Sequence, residues 1–469
     1  RGGAKRAKHD KTGSITPNYA FLVDIFTCIH FQSHYNRYIS IIVHIVNSRS
    51  QKEVMPSRDA HAAAFLLTPT PFFCVFLEET MKKVTLLLSL LVLSSLLLSA
   101  CGAGAGANTI KVGVVAELTG DIPAVGASCK NAAEMAVKEI NDAGGLEVAG
   151  KKYTIELFIE DNAGKADQSA SAAQKLITQQ EVVAIIGPNA SRYAIPAAEI
   201  AESSKIPLIT PWSTNPKTTL DTQSGASKKY VFRACFIDPF QGRVVAKFAL
   251  DQLKTTKAAV LYDVASDYNK GIAEFFKQTY EENGGTVVAF ETYTTGDKDF
   301  SAQLTKIKDA APEVIFLPNY YSEVPLQIQQ AHRLGIEVPF LGSDSWGSAE
   351  LISLCGAECE GYYFSTHYAP DAATPVATKF IEGYKATYGQ TPDDVAALTY
   401  DAFGLLWTAL KNAGKTDSES VRNALATIPS YDGVTGSMQF QEGSGDPIKS
   451  AVILQIKDGK FIWYANANP

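Results

Sequence analysis

Seven polar or aromatic side chains that could bind a small ligand each follow a short apolar run of the chain. They are Ser191, Trp212, Ser213, Thr214, Tyr268, Tyr320 and Asp344. Hydroxyl groups and the backbone N–H groups at a helix start suit a carboxylate, whereas an aspartate suits an ammonium group. Tyrosine and tryptophan add flat apolar walls with polar tips. The set therefore predicts a site for a zwitterion, which is the form of a free amino acid.

Each of these residues also has a structural interpretation that needs no ligand. Ser191 is placed to cap a helix, Thr214 precedes Pro216 in a turn-like segment, and Asp344 could be a solvated loop acid. A single tyrosine usually serves packing. Their common position favours a site, because chance would scatter such residues along the chain.

The apolar runs alternate with helical patterns. The run VVAIIG at 182–187 is apolar throughout, which is typical of a strand covered on both faces. Similar runs occupy 109–115, 206–209, 258–262 and 314–317. The alternation predicts an α/β fold with parallel sheets and helices on both faces. Ligand contacts in such sheets lie outside the carboxyl ends of the strands, where the candidate residues are.

The pattern changes after Gly361. Helices are predicted at about 374–388, 393–413 and 418–427, followed by a hairpin with strands at about 449–456 and 460–464. The chain is therefore expected to close with helices and a hairpin.

Charge and length narrow the class of protein. The chain has 42 basic and 49 acidic residues, of which 31 basic and 43 acidic residues lie after residue 100. An acidic surface opposes nucleic-acid binding, so no nucleic-acid partner is expected. The 369 residues after position 100 exceed what a single core usually holds, and two lobes are predicted.

The residue types needed for catalysis or for a metal centre are not grouped in the sequence. There is no G-x-S-x-G motif, no phosphate loop and no histidine-rich cluster, and His332 and His367 stand apart. We therefore expect no enzyme, no metal and no cofactor. Cys355 and Cys359 are close enough to form a disulfide, but the spacing is also compatible with two small buried residues, which is the interpretation we favour from the sequence.

A lipoprotein signal is predicted at residues 81–100. Met81 is followed by two lysines and by a Leu/Ser-rich apolar stretch, and LSAC ends at Cys101. This motif resembles the lipobox in which the cysteine receives the lipid; a short membrane helix with a chance cysteine is the alternative. The Gly/Ala segment 101–107 then serves as a flexible tether. Residues 1–80 show no sustained pattern, and we interpret them as upstream DNA translated in frame.

Seven segments, in order, resemble a known family. They are IKVGVVAELTGDIPAVG, AVKEINDAGG, IIGPNAS, IPLITPWSTNP, VLYDVASDYNKG, GDKDFSAQLTKIK and LTYDAFGLL. The family is that of the extracytoplasmic substrate-binding proteins of branched-chain amino acid ABC transporters, of the leucine/isoleucine/valine-binding type. The likeness covers nearly all of 109–464. It implies a type I periplasmic-binding fold, with two lobes that each contain a mostly parallel sheet flanked by helices and with three crossings between them.

The resemblance also implies lobe boundaries and roles for residues. The first lobe would comprise 108–237 and 369–448, and the second lobe 238–368 and 449–469. The ligand carboxylate would be held by Ser191, Thr214 and the amide of Tyr268, and the ammonium by the carbonyl of Trp212, the Thr214 hydroxyl and Asp344. Tyr320 would line the pocket, with Val125 and Asp238 near the cleft.

Two positions depart from the family pattern. Well-known members have a glutamate where this chain has the shorter Asp344, and they often have a small residue where it has Trp212. The resemblance still predicts a monomer, anchored outside the cytoplasm by its lipid, that binds a branched-chain or other apolar amino acid and delivers it to an ABC permease. The alternatives are a ligand-sensing lipoprotein for a membrane receptor, and a binding protein for an amide, urea or an aromatic acid.

Overall fold

The computed structural model describes residues 108–441 and 443–468. The predicted upstream segment 1–80, the signal peptide 81–100 and the tether 101–107 with Cys101 lie outside the described residues. None of the helices within the described part is both long and apolar enough to cross a membrane.

The described residues form strands and helices in alternation. The strands are β1 Thr109–Ala116, β2 Leu146–Val148, β3 Lys151–Asp161, β4 Ala184–Ile186, β5 Leu208–Thr210, β6 Val231–Arg233, β7 Lys257–Asp263, β8 Thr286–Tyr293, β9 Val314–Leu317, β10 Phe340–Gly342, β11 Tyr363–Thr366, β12 Ser430–Gly433, β13 Gly436–Phe440, β14 Pro447–Ile448, β15 Ala451–Lys457 and β16 Lys460–Ala467. The α-helices are α1 Pro123–Asp142, α2 Ala166–Thr178, α3 Ser191–Ser204, α4 Asp238–Asp251, α5 Asp267–Glu282, α6 Ser301–Asp309, α7 Val324–Arg333, α8 Ala349–Cys355, α9 Pro375–Tyr388, α10 Asp394–Ala413 and α11 Ser418–Leu425.

The first sheet has the strand order β2-β3-β1-β4-β5-β6. All neighbours in it are parallel except the β2/β3 pair. The central strand β4 is buried along its whole length, as the apolar run 182–187 predicted. Strand β5 begins at Leu208 rather than at 206, and Pro207, which has no N–H, contributes only its carbonyl to Ile185.

The second sheet has the strand order β16-β15-β11-β10-β9-β7-β8. Strands β7 to β11 pair in parallel, and the hairpin β15/β16 adds to β11 in the antiparallel sense. A small antiparallel sheet of β12, β13 and β14 lies between the two in sequence. The closing hairpin predicted from the sequence is therefore present as an edge of the second sheet.

The chain passes from the first large sheet to the second between β6 and α4. It leaves the second sheet between β11 and α9 for helices α9 to α11, of which α10 packs against α1, and for the small sheet, and it returns to the second sheet between β14 and β15. The predicted α/β class and its three crossings are confirmed by this topology. The lobe boundaries given above stay a prediction. Because the central strands of each sheet are parallel, the loops that follow them all lie on the side of the sheet where the strands have their carboxyl ends.

Candidate functional site

Loops from both sheets meet at one pocket. Its side chains pack closely, so that almost no cavity volume is left between them, and it is lined by Ala190, Ser191, Trp212, Tyr268, Tyr320 and Asp344. The first three of these follow β4 and β5 of the first sheet, and the last three follow β7, β9 and β10 of the second sheet. The structure thus brings together five of the seven residues that the sequence predicted as ligand contacts.

A buried acid and a glycine hold the loop that carries Ser191. Gly187 ends β4 with a φ of +85°, and a Cβ there would lie 2.2 Å from the carbonyl oxygen of Val115. The carboxylate of buried Glu117 accepts hydrogen bonds from the backbone N–H of Asn189 at 3.0 Å and of Ala190 at 3.1 Å. Burial raises the pKa of Glu117, and these N–H bonds oppose the rise. The start of α3 is thereby fixed at the pocket.

Ser191 does not cap its helix. The N-cap of α3 is Ala190, and Ser191 is the first helical residue, so the capping interpretation is wrong. Its Oγ instead accepts hydrogen bonds from Ser213 Oγ at 3.0 Å and from the backbone N–H of Asn215 at 3.3 Å. With both bonds accepted, the hydroxyl proton of Ser191 is available to a carboxylate in the pocket.

Thr214 carries a buried hydroxyl close to the Asp238 carboxylate. Its Oγ1 is fully buried and forms no hydrogen bond of good geometry among the described residues, but its contact with Asp238 lowers the pKa of that carboxyl, against the larger rise caused by burial. Leaving a buried hydroxyl unpaired costs about 1–3 kcal/mol, so such a group is poised for a ligand or for a small rearrangement. Thr214 and its neighbour Ser213 do not themselves line the pocket.

Val125 and Asp238 were predicted near the cleft, and neither lines the pocket. Val125 lies on α1 and is part of the hydrophobic core. Asp238 begins α4 and is fully buried. One of its oxygens accepts a hydrogen bond from Asn215 Nδ2 at 2.9 Å, and burial raises its pKa to about 7.

Asp344 also lines the pocket, and three side chains contact its carboxylate. Its Oδ1 accepts hydrogen bonds from the Tyr268 hydroxyl at 2.5 Å and from Gln241 Nε2 at 3.1 Å. Its Oδ2 lies 3.1 Å from Nε2 of His367, which is equally buried. Burial, and then the charge of Asp344, raises the pKa of Tyr268 well above its ordinary value, so this tyrosine is a neutral donor.

Three aromatic rings form part of the pocket lining. The rings of Trp212 and Tyr320 are 6.2 Å apart, and those of Tyr268 and Tyr320 are 5.7 Å apart. The indole Nε1 of Trp212 donates to Asp394 Oδ2 at 3.0 Å. The guanidinium of Arg192 lies 5.1 Å from the centroid of Tyr320. Apolar faces therefore surround the space between the hydroxyls and the acid.

Polar contacts join the two halves around the pocket. The backbone N–H of Ala124, on α1, donates to the hydroxyl of Tyr321 at 3.1 Å. Lys217 Nζ forms an ion pair with Asp267 Oδ1 at 2.6 Å, at the start of α5. Arg192 contacts Thr295 Oγ1 at 3.4 Å. These contacts link residues that follow strands of the first sheet to residues that follow strands of the second sheet.

One buried group near the pocket has the residue types of a cation site. Atoms of Asp344, His367 and Asp394 lie within 4.8 Å of one another. The carboxylate oxygens already accept hydrogen bonds from protein donors, including Thr366 Oγ1 to Asp394 at 2.9 Å. We therefore describe the group as a hydrogen-bonded network rather than as a metal centre.

Comparisons with known proteins show the family of the chain. Residues 109–460 match the family model described as periplasmic binding protein. The chain belongs to the periplasmic binding protein family. The resemblance and the type I fold inferred from the seven sequence segments are confirmed.

Proteins similar to this periplasmic binding protein are named for binding leucine or branched-chain amino acids. The chain is 31% identical over 363 residues to the Leu/Ile/Val-binding protein homolog 3 of Brucella melitensis, covering 77% of this chain and 95% of that protein. A leucine-binding protein from Thermotoga maritima is 37% identical with a TM-score of 0.71, covering 77% of this chain and 99% of that chain. A branched-chain amino acid binding protein from Streptococcus pneumoniae, solved with isoleucine, is 32% identical with a TM-score of 0.69, covering 76% and 100%.

Sequence reasoning missed three residues of the binding protein's pocket region, namely Gln241, His367 and Asp394. A signal was present for His367, because it follows β11 as directly as Asp344 follows β10. Asp394 begins α10, and its hydrogen bond with Trp212 depends on the packing of segments that are far apart in sequence. His332 lies elsewhere, on α7, where its ring contacts Glu358 and the Tyr362 hydroxyl.

The binding protein also contains one disulfide in its described part. It joins Cys355, the last residue of α8, to Cys359, with the Cα atoms 5.7 Å apart. Cys129 and Cys235 are buried and free, and burial raises the pKa of each thiol to about 12. Of the two alternatives left open by the C-x3-C spacing, the structure has the bridge.

Proposed function

We propose that this chain is a substrate-binding protein that takes up a free branched-chain or other apolar amino acid and delivers it to an ABC permease. The observation that carries the proposal is the pocket itself. Ser191, Asp344 and the rings of Trp212, Tyr268 and Tyr320 line the same pocket. A hydroxyl and an acid in one pocket match the carboxylate and ammonium of a zwitterion.

The carboxylate end of the ligand is assigned to Ser191, Thr214 and the backbone amide of Tyr268. Ser191 has a hydroxyl proton to donate, and Thr214 has a buried hydroxyl that forms no hydrogen bond of good geometry with the described residues. Tyr268 is the second residue of α5, where backbone N–H groups have no acceptor within the helix and the dipole favours an anion.

The ammonium end is assigned to Asp344, with the Trp212 carbonyl and the Thr214 hydroxyl. Asp344 is buried, and the donors around it are a tyrosine hydroxyl, a glutamine amide and an imidazole nitrogen. An ammonium group would supply a positive charge to this carboxylate. Ser213 supports the site through its bond to Ser191 rather than as a contact.

Uptake would proceed by closure of the two halves. The ligand would bind first to the loops with Ser191 and Thr214, and the second sheet would then bring Tyr268, Tyr320 and Asp344 over it. Contacts such as Ala124 to Tyr321 and Lys217 to Asp267 would form at the same time. The closed form would dock on the permease, and no catalytic step is assigned to the pocket.

The names of relatives support this cargo. The Thermotoga protein is named a leucine-binding protein, and a protein from Desulfitobacterium hafniense, 26% identical with a TM-score of 0.64, was solved with Leu. Attachment to the membrane through a lipid on Cys101, location outside the cytoplasm and a monomeric state complete the proposal. They rest on the lipobox and on the family.

A thermal-shift screen with the twenty amino acids tests the proposal. A ligand at about 100 times its dissociation constant stabilises the folded state by about 2.7 kcal/mol, which is a readily measured rise in melting temperature. Leucine, leucinamide and 4-methylpentanoate then separate the two ends, because the second lacks the carboxylate and the third lacks the amine. The proposal fails if no free amino acid raises the melting temperature, or if leucinamide or 4-methylpentanoate binds as tightly as leucine.

A further inference from the structure

His367 is a buried base in direct contact with the acid of the pocket. Its side chain is fully buried, its Nε2 lies 3.1 Å from Asp344 Oδ2, and its ring stacks on Phe236 with centroids 3.8 Å apart. Its second nitrogen, Nδ1, has no hydrogen-bond partner among the described residues. Among the described residues, Asp344 is therefore the hydrogen-bond partner of the imidazole, whose ring face is covered by Phe236.

Other ionisable groups face this pair from several elements. Asp394, at the start of α10, lies within 4.8 Å. Lys449, between β14 and β15, is buried and acts on His367 as a positive charge. The thiol of Cys235 is buried near Asp344 and Lys449. Asp344 is thus the acid in contact with the imidazole of His367. The positive charge of Lys449 disfavours protonation of that imidazole.

One carboxylate can neutralise one cation in a pocket that excludes water. If His367 is protonated, its charge already balances Asp344, and an incoming ammonium would be left buried without a counter-charge. If His367 is neutral, Nε2 still donates a hydrogen bond to Asp344 Oδ2, and the carboxylate keeps its charge for the ligand. The imidazolium and the ammonium therefore compete for the same partner.

We propose that His367 is a positioning residue that orients Asp344 through Nε2 and that ligand uptake expels the imidazolium proton of His367 to solvent. The inference rests on the proposed amino-acid function, because it requires an ammonium group at Asp344. It adds a residue that the sequence had left unassigned, and it makes uptake of the amino acid sensitive to pH.

The direction of the pH effect follows from burial. In the closed structure burial lowers the pKa of His367 from 6.5 to about 4, and the hydrogen bond and charge of Asp344 oppose this. An opened, hydrated pocket would return the imidazole towards its ordinary pKa. At a pH between the closed-state pKa of about 4 and the ordinary pKa of 6.5, closure therefore releases a proton from His367. Ligand affinity is then highest above pH 6.5 and decreases as the pH falls towards 4.

Two buried carboxylates outside the pocket lining would act in the opposite direction. Burial raises the pKa of Asp394 well above its ordinary value, with the neighbouring Asp393 and Asp344 adding to the rise. Burial also raises the pKa of Asp238 to about 7. Closure over such acids takes up protons. The sign of the proton change on binding therefore separates the histidine from the acids.

Calorimetric titration of leucine into the purified full chain tests the proposal. We expect the dissociation constant to be at least about tenfold higher near pH 5 than near pH 7.5. For His367→Gln, whose amide can donate but does not titrate in this range, we expect a ratio of the two constants close to one. His332→Gln replaces the described histidine outside the pocket and should keep the wild-type ratio.

Titration of the wild type near pH 5.5 in two buffers of different ionisation heat gives the proton count even if His367→Gln does not fold. Release of protons supports the proposal, and proton uptake or no exchange overturns it. A wild-type pH ratio in His367→Gln overturns it as well. Absence of leucine binding at either pH in the wild type would instead contradict the proposed function, so the two failures are distinguishable.

Discussion

The indole N–H of Trp212 donates a hydrogen bond to Asp394 across 182 residues of sequence, at 3.0 Å. The bond fixes the ring of Trp212 against Tyr320 in the wall of the pocket. A side chain held at its polar tip cannot swing away to admit a larger ligand. Trp212 is therefore expected to set the size limit of the amino-acid side chain that fits.

Replacement of this ring should shift selectivity. In Trp212→Leu we expect the dissociation constant for phenylalanine to fall relative to that for valine by about tenfold, which corresponds to about 1.4 kcal/mol. The reason is the added space where the indole stood. Titration calorimetry with both ligands measures the ratio. Trp463→Leu, at an exposed tryptophan, is the matched control, and an unchanged ratio in Trp212→Leu would contradict the size limit.

Asp344 should be required for amino acids with a free amine. In Asp344→Asn the carboxylate charge is lost while the size is kept, and we expect affinity for leucine to fall at least about tenfold, or about 1.4 kcal/mol. Asp344→Ala should lose at least as much. Asp309→Asn, at an exposed acid that ends α6, is the control. Unchanged titration of Asp344→Asn would remove this residue from the site.

Thr214 offers a test that separates stability from binding. Its Oγ1 is buried beside the Asp238 carboxylate without a hydrogen bond of good geometry, so Thr214→Val should change the stability of the ligand-free protein by no more than about 1 kcal/mol. The same change should weaken leucine binding, because the hydroxyl can no longer reach the ligand. Urea unfolding and titration calorimetry give the two quantities. Loss of stability without loss of affinity would mean that the hydroxyl is structural.

Arg233 should be required for the shape of the loop beneath the site. Its side chain is fully buried, pairs with Asp446 at 2.6 Å, and donates to the carbonyls of Ser213 at 2.5 Å and Asn215 at 3.0 Å. Arg233→Met should lower the free energy of unfolding by about 3 kcal/mol, because it leaves these acceptors unpaired. Urea unfolding measures the loss. A stability within about 0.5 kcal/mol of the wild type would contradict this role.

The disulfide between Cys355 and Cys359 should affect stability but not ligand affinity. It closes a short loop, for which the chain-entropy estimate is about 2 kcal/mol. Neither cysteine lines the pocket. We expect Cys355→Ser/Cys359→Ser to unfold at lower urea concentration while binding leucine with the wild-type dissociation constant. A change in affinity of more than about threefold would show that α8 is coupled to the pocket.

Much of the fold could be predicted because buried parallel strands are recognisable in sequence. The run 182–187 is apolar at every position because both of its faces are covered, and it contains β4. Short edge elements were harder. Strands β2, β12, β13 and β14 have few residues and mixed burial, so they carry no periodic signal.

The candidate site was accessible from the sequence to the extent that it depends on strand ends. Five of the predicted residues each follow a recognisable strand, namely Ser191, Trp212, Tyr268, Tyr320 and Asp344. Within each sheet the parallel strands have their carboxyl ends on the same side, so the loops that carry these residues lie together. Residues that reach the pocket region through helix packing, such as Gln241 on α4, carry no comparable signal.

The sequence by itself therefore determined the alternation of strands and helices and the loops in which ligand contacts lie, because covered strands must be apolar and parallel strands share a direction. Only the tertiary structure decided which side chains meet. It placed His367 against Asp344 and Asp394 against Trp212, and it turned Ser191 away from capping its helix. These contacts join segments far apart in sequence, and their partners are set by how the two sheets pack.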